Sequence, residues 1–347
     1  MSSWRKILAD SITDPDDLPK SFGIDRTSLA KVASTYPMRI NPYYLNLIKQ
    51  PGDPIWRQAV PDPLELEDRV CPEDPLAEEV LTRAPNLVHK YPDRALFLVH
   101  SSCAMYCRFC TRKRKVGTER LRISRESMLA AFAYLERTPA VRDVLLSGGD
   151  PLLLDDDRLE WILTELRKIP SVEIIRIGSR VPCTLPMRVT LRLAKMLKKF
   201  HPLFLNTHFN HPDEITPEAA AACNRLADAG IPLGCQTVLL KGVNNDPSVI
   251  KKLMNGLLHI RVKPYYIFQG DMSRGTDHFR TPINEGLAIM DTLIGRTSGL
   301  AIPRFAIDLP GGNGKVTMLP DNARGVEGAT WTFKNYLGQT CSYLDPA

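Results

Sequence analysis

Three cysteines, Cys103, Cys107 and Cys110, fall within the stretch CAMYCRFCTR. Thiolates bind soft and borderline metals. A structural zinc site closes with four ligands, typically two cysteine pairs. Here a second pair is missing and no histidine stands at zinc-finger spacing. A cubane iron–sulfur cluster normally takes four cysteines, so three would leave one iron open to another ligand. A second reactive group, Lys315, follows the glycine turn of DLPGGNGK. A nucleotide P-loop needs glycine six residues before the lysine and Ser or Thr after it. Leu309 and Val316 hold those positions and exclude it. SGGD at 147–150 is common turn chemistry when taken alone.

Elements to position these residues are visible in the apolar pattern. Six short runs stand at 95–100, 143–148, 172–178, 203–208, 233–240 and 263–268, several rich in β-branched or aromatic residues. Such runs read as buried parallel strands. Helix-like stretches lie between them at 125–137, 156–168, 189–200, 217–230 and 247–259. Ser124 is expected to cap the first and Gly230 to close the fourth. Strands alternating with helices imply parallel βα units, and six units predict an open, partial barrel rather than a closed eightfold one. Its site belongs at the C-terminal strand ends. SGGD, GSR at 178–180, His208 and Asp271 all fall there. Residues 1–85, rich in Pro and Asp, read as short helices and turns wrapped on the barrel. The expected division is 1–88 accessory, 89–300 barrel and 301–347 a C-terminal segment carrying Lys315.

Composition limits the function. The 347 residues carry net charge +6, mild enough to suit anionic cofactors and too diffuse to argue for nucleic acid. The N-terminus does not read as a secretory signal, and no run of eighteen apolar residues predicts a membrane span. Eight cysteines, three of them clustered, suit a reducing, cytoplasmic compartment and one metal site.

With Tyr106 and Phe109 before the second and third cysteines, the C-x3-C-x2-C stretch resembles the signature of radical S-adenosylmethionine (SAM) enzymes. HKYPDRALFLV, CAMYCRFCTRKR, VRDVLLSGGDPLL, IRIGSRVP, LNTHFNHPDEIT, RVKPYYIFQGD and DLPGGNGK resemble, in order, segments of the lysine 2,3-aminomutase family over roughly residues 35–320. The resemblance implies a radical SAM partial (βα)6 barrel with an N-terminal helical extension. It implies a [4Fe-4S] cluster on Cys103, Cys107 and Cys110, with SAM on the open iron and pyridoxal 5′-phosphate bound through a Schiff base to Lys315. The implied reaction moves the amino group of L-lysine from carbon 2 to carbon 3. The cofactor phosphate falls to Lys90, Tyr91 and Arg94. Lys90 replaces an arginine of the clostridial type, a point charge for a bidentate fork.

For SAM, the resemblance implies Ser147, Gly148, Gly149 and Asp150, with Asp150 accepting from the ammonium group. Arg180 is implied at the SAM carboxylate, and His208 and Gln236 line the SAM and pyridoxal pocket. Arg112 is implied at the substrate α-carboxylate, and Asp271 with Asp308 at the ε-ammonium of lysine. Alternative readings are the enzyme that makes (R)-β-lysine for elongation factor P, and a non-enzymatic iron–sulfur protein. An electron donor such as flavodoxin or ferredoxin is the expected partner, and a homo-oligomer is open. Longer members carry a cysteine-rich tail that binds zinc between subunits; with Cys341 alone in that region, no such zinc is expected.

Overall fold

Each of the six apolar runs forms a strand. The computed structural model describes residues 3–346. In chain order the strands are β1 (Thr82–Ala84), β2 (Leu87–Tyr91), β3 (Arg94–His100), β4 (Asp143–Gly148), β5 (Ile174–Gly178), β6 (Leu203–Thr207), β7 (Leu233–Leu239), β8 (Lys263–Gln269), β9 (Arg304–Asp308) and β10 (Lys315–Met318). They form one sheet in sequence order. β3 through β9 run parallel. The β1–β2–β3 meander and the β9–β10 hairpin are antiparallel.

The parallel strands are joined by helices Arg125–Glu136, Asp156–Lys168, Leu191–Leu197, Pro217–Asp228, Pro247–His259 and Ile283–Leu293. Ser124 caps the first reciprocally with Ser127, and Gly230 takes φ +79° just past the fourth. Helices cover one face of the sheet and the other lines a lumen. On β7, Leu233, Cys235, Thr237 and Leu239 are buried, whereas Gly234, Gln236 and Val238 are half-buried toward the interior. This is the period-2 alternation of a strand with two different faces.

The sequence did not announce β9 and β10. β9 has five residues between Pro303 and Pro310, and flanking prolines read as loop. The barrel therefore has a seventh parallel strand beyond the expected six. The ten-stranded sheet runs from Thr82 to Met318 and crosses both expected divisions, at 88/89 and at 300/301. Its two ends are not hydrogen-bonded to each other. The strands next to the two ends approach through side chains: Lys90 Nζ on β2 lies 3.9 Å from Asp308 Oδ1 on β9.

Residues before β1 form short helices and turns, as their composition implies. After β10, strands β11 (Ala323–Glu327), β12 (Thr330–Lys334) and β13 (Thr340–Leu344) form a separate antiparallel sheet. No helix among the described residues is long and apolar enough to cross a membrane.

Candidate active site

One cavity of about 710 Å³ fills the lumen. Cys103, Cys107, Cys110, Ser147, Gly148, Gly149, Asp150, Arg180, His208, Gln236, Lys90, Tyr91, Arg94, Arg112, Asp271, Asp308 and Lys315 all line it. Most lie at the C-terminal ends of strands. Gln236 sits within β7, and Lys90, Tyr91 and Arg94 belong to the β2–β3 hairpin at the other end of β3.

The cysteine loop leaves β3 and is held against the end of β4. Gly149 N donates to His100 O at 2.6 Å and Asp150 N to Ser102 O at 2.8 Å. A Cβ on Gly148 would stand 2.3 Å from His100 O, and one on Gly149 2.3 Å from Ser102 O. The two glycines are thus required by the close approach of two backbones. Asp150 is also held by partners within the protein. Its Oδ1 accepts from Leu152 N at 3.0 Å and Ser179 Oγ at 2.7 Å, and its Oδ2 from Arg180 N at 2.8 Å and Val181 N at 3.2 Å. With both oxygens doubly occupied, this buried carboxylate ties β4 to the turn after β5.

Burial pushes the Cys103 thiol well above its ordinary value and the Cys110 thiol up to about 11, and the neighbouring cysteines add to both shifts. Ionised together, the triad calls for a positive centre among them. Among the described residues no three His, Cys, Asp or Glu side chains close on a single metal ion, whereas a cubane takes each thiolate on a different iron. The donor set fits a cluster.

Behind the cysteines lies a buried polar network. Arg180 donates from Nη1 to Cys107 Sγ at 2.8 Å, and from Nη2 to Gln58 Oε1 at 2.6 Å and Glu214 Oε1 at 2.7 Å. These contacts occupy the guanidinium that the sequence reading gave to the SAM carboxylate; only its Nε is buried without a partner. Asn210 Nδ2 donates to Gln58 at 3.0 Å and its Oδ1 accepts from Val238 N at 3.0 Å. That orientation makes Oδ1 the acceptor for His208 Nε2, 2.9 Å away. Burial, helped by Arg180, pushes the His208 pKa down to about 3. The ring is therefore neutral, with its proton on Nε2 and Nδ1 as acceptor.

The basic run Arg112–Lys115 is not a solvated loop. Lys113 Nζ lies 2.7 Å from Glu65 Oε2, Arg114 Nη2 3.0 Å from Asp74 Oδ1, and Lys115 Nζ 3.0 Å from Glu79 Oε1. Arg112 is gripped by Glu78, with Nε 3.0 and 2.9 Å from the two oxygens. Glu65 also receives Arg108 at 2.6 Å, fully inside the protein. Acids of residues 65–79 thus fasten the cysteine loop to the N-terminal segment.

At the hairpin of the glycine turn, Lys315 pairs with Asp308 across β9–β10, its Nζ 3.0 Å from Oδ2. Gly311, Gly312 and Gly314 all have positive φ, which lets the chain reverse in so few residues. Burial, reinforced by the Asp308 charge, pushes the Asp271 pKa up to about 7. Near Lys315, the Arg94 guanidinium lies 3.9 Å above the Tyr91 ring and Lys90 Nζ 5.5 Å from it. Tyr91 Oη is buried without a partner. A free phenol beside two cations fits a phosphate dianion, and Gly314, next to Lys315 in the chain, packs against the same Tyr91 ring, its Cβ position 3.8 Å from Tyr91 Oη. Thr207 Oγ1, also buried and unpaired on the cavity wall, is a further polar group without a protein partner.

Sequence reasoning missed Gln58, Glu65, Glu78, Asn210 and Glu214, most of them in the segment read as an accessory wrap. The one available signal was charge complementarity between the acids of 65–79 and the bases of 108–115.

The comparisons with known proteins agree with this geometry. The Radical SAM superfamily model matches residues 98–253, and the Lysine-2,3-aminomutase model residues 290–347. The L-lysine 2,3-aminomutase of Methanococcus maripaludis is 47% identical over 99% of this chain and 81% of its own length. That of Clostridium subterminale is 46% identical over 99% of this chain and 84% of its own. The glutamate 2,3-aminomutase of Clostridioides difficile is 45% identical over 92% of this chain and 77% of its own. With its cysteine triad, parallel barrel and lysine-bearing hairpin, the chain belongs to the lysine 2,3-aminomutase family of radical SAM enzymes.

Proposed function

We propose that this isomerase moves the amino group of L-lysine between carbons 2 and 3. The observation that carries the choice of lysine is the acidic end of the cavity. Asp308 already holds an alkylammonium group there, that of Lys315, at 3.0 Å, and Asp271 adds a second carboxylate to the same charge cluster. Glutamate, the substrate named for one relative, would bring a third carboxylate against these two.

Cys103, Cys107 and Cys110 hold the cluster in this reading, Lys90, Tyr91 and Arg94 the phosphate of pyridoxal phosphate, and Lys315 its aldehyde carbon. The cluster with SAM supplies a carbon-centred radical for hydrogen abstraction, and pyridoxal phosphate supplies a conjugated system for the migrating nitrogen. Arg112 binds the substrate α-carboxylate and Asp271 with Asp308 its ε-ammonium, which fixes the chain of the amino acid at both ends. Neutral His208 offers Nδ1 as an acceptor in the cavity wall.

Product analysis tests the proposal. Anaerobically reconstituted protein given lysine, SAM and a reductant should form β-lysine, with little or no β-glutamate from glutamate. Equal turnover of glutamate, or no β-lysine from protein carrying its full iron and pyridoxal content, overturns it.

A further inference from the structure

Glu78 meets Arg112 side-on. Arg112 Nε lies 3.0 and 2.9 Å from the two Glu78 oxygens, and Nη2 lies 2.5 Å from Oε1. A guanidinium can take a carboxylate by parallel hydrogen bonds on its Nε–Nη2 edge or on its Nη1–Nη2 edge. Glu78 fills the first. The second retains only a contact from Nη1 to Ser147 Oγ at 3.4 Å, at the long limit for a hydrogen bond. Glu78, Arg112 and Ser147 all line the cavity.

Glu78 is itself anchored. It is 6% exposed, and its carbonyl accepts from the Thr82 hydroxyl at 2.7 Å. Nearby, Pro75 O accepts from Gly311 N at 2.8 Å, which ties the segment to the glycine turn before Lys315. A flexible side chain held this way has one edge closed and the other presented to the lumen.

We infer that Glu78 is a positioning residue for substrate binding: it fixes Arg112 so that the Nη1–Nη2 edge meets the α-carboxylate of the amino-acid substrate. This rests on the reading of Arg112 given above. Glu78 does not touch the substrate and acts through Arg112. It lies outside both stretches matched by the family models, residues 98–253 and 290–347, so the N-terminal segment is part of the substrate site and not only a cover for it.

The test is lysine binding by calorimetry, on enzyme reconstituted anaerobically with iron–sulfide and pyridoxal phosphate but without SAM, paired with kcat and KM under turnover. Glu78→Ala should raise the Kd for lysine by roughly 10-fold, within the range for a residue that acts through another. KM should follow Kd, and kcat should change less. Glu78→Asp, which keeps the charge, should recover part of the loss. Glu78→Gln, which keeps the packing, should show the loss with wild-type iron and pyridoxal content and guards against a misfolded Ala variant. In an Arg112→Ala background, Glu78→Ala should add nothing. Wild-type Kd in Glu78→Ala and Glu78→Gln overturns the inference, and so does an undiminished further loss in the Arg112→Ala background, the mark of a merely structural role. If Arg112→Ala alone binds lysine normally, the reading of Arg112 falls and this inference with it. If Arg112→Ala binds poorly while the Glu78 variants bind normally, only the inference falls.

Discussion

Lys315 stands directly opposite Asp308 on the β9–β10 hairpin, its ammonium 3.0 Å from the carboxylate. In the function proposed above, the lysine that receives the aldehyde is thus paired with the acid that receives the substrate. On that proposal, joining Lys315 to the cofactor would free Asp308 for the substrate. Borohydride reduction of pyridoxal-loaded protein, followed by peptide mapping, should place the label on Lys315. Asp308→Asn should leave the label there, since Asp308 is not the attachment point. A label on another lysine rejects the assignment.

The cysteine loop should be separable from the rest. Cys107→Ala, reconstituted anaerobically, should lose iron and the visible absorbance of the cluster, because the three thiols are the cavity's only cysteine donors. Cys341→Ala should keep both, since Cys341 is exposed on the C-terminal sheet. Full iron in Cys107→Ala would sink the ligand assignment.

Much of this was legible in the sequence, for definite reasons. The strands from β3 to β8 were readable because their outer faces are buried by helices, which writes continuous or alternating apolar residues into the chain. The cysteine, SGGD and glycine-turn motifs were readable because their chemistry needs fixed spacing. β9 was hidden by its shortness and its flanking prolines. The protein partners of Asp150 and Arg180 were hidden because a motif shows which residue is present and not what the fold places beside it. Ser179 and the backbone of residues 180–181 fill Asp150, and Glu214 with Gln58 fills Arg180. Those partners are 29 or more residues away in the chain, beyond any local pattern.

Glu65 carries more than its own charge. Fully buried, it receives both Arg108 and Lys113. Burial opposes its ionisation, but the two cations outweigh that and hold its pKa below the ordinary value. Removing one member of a buried ionic group strands the others, at a cost of about 3–5 kcal/mol. Glu65→Ala should lower the unfolding free energy of the iron-free protein by that order in a denaturant titration. A loss below about 1 kcal/mol, typical of a surface pair, would show that the cations find other partners.

Asp271 should leave a pH signature on stability. Its folded pKa is pushed up to about 7 by burial and by Asp308, whereas an unfolded aspartate titrates near 3.9. Between these values the folded chain keeps a proton that the unfolded chain has released. The stability from this group is therefore fully present below about pH 4 and lost as pH rises through about 7. In the cofactor-free protein, Asp271→Asn removes that loss. The Tm of the variant relative to wild type should rise between about pH 5 and about pH 8. A relative Tm that falls over this range would show Asp271 to be stabilised as the anion.

The acidic pair should also set the choice of substrate. Asp271 and Asp308 face the lumen with Lys90 and Lys315 beside them, and once Lys315 is joined to the cofactor its ammonium is lost from the group. The substrate ε-ammonium is then the cation that restores balance. It needs Asp271 ionised, so kcat/KM for lysine should fall toward acid pH as the carboxyl takes up its proton; losing the Lys315 ammonium, which holds this pKa down, moves that limb upward. Asp271→Asn should abolish that acid limb. Each single Asp→Asn change removes one acceptor from a desolvated charge pair, a loss of about 2–5 kcal/mol, and so should lower kcat/KM for lysine by roughly 30-fold or more. Iron and pyridoxal content should not move, since in this reading neither carboxylate holds a cofactor. Norleucine, which lacks the ammonium, should be a poor substrate for wild type and should lose less than lysine does in the Asn variants, because it has no charge for them to strand. If wild type turned over norleucine as well as lysine, the two carboxylates would have no part in selection, and the acid limb at Asp271 would have to report a different step.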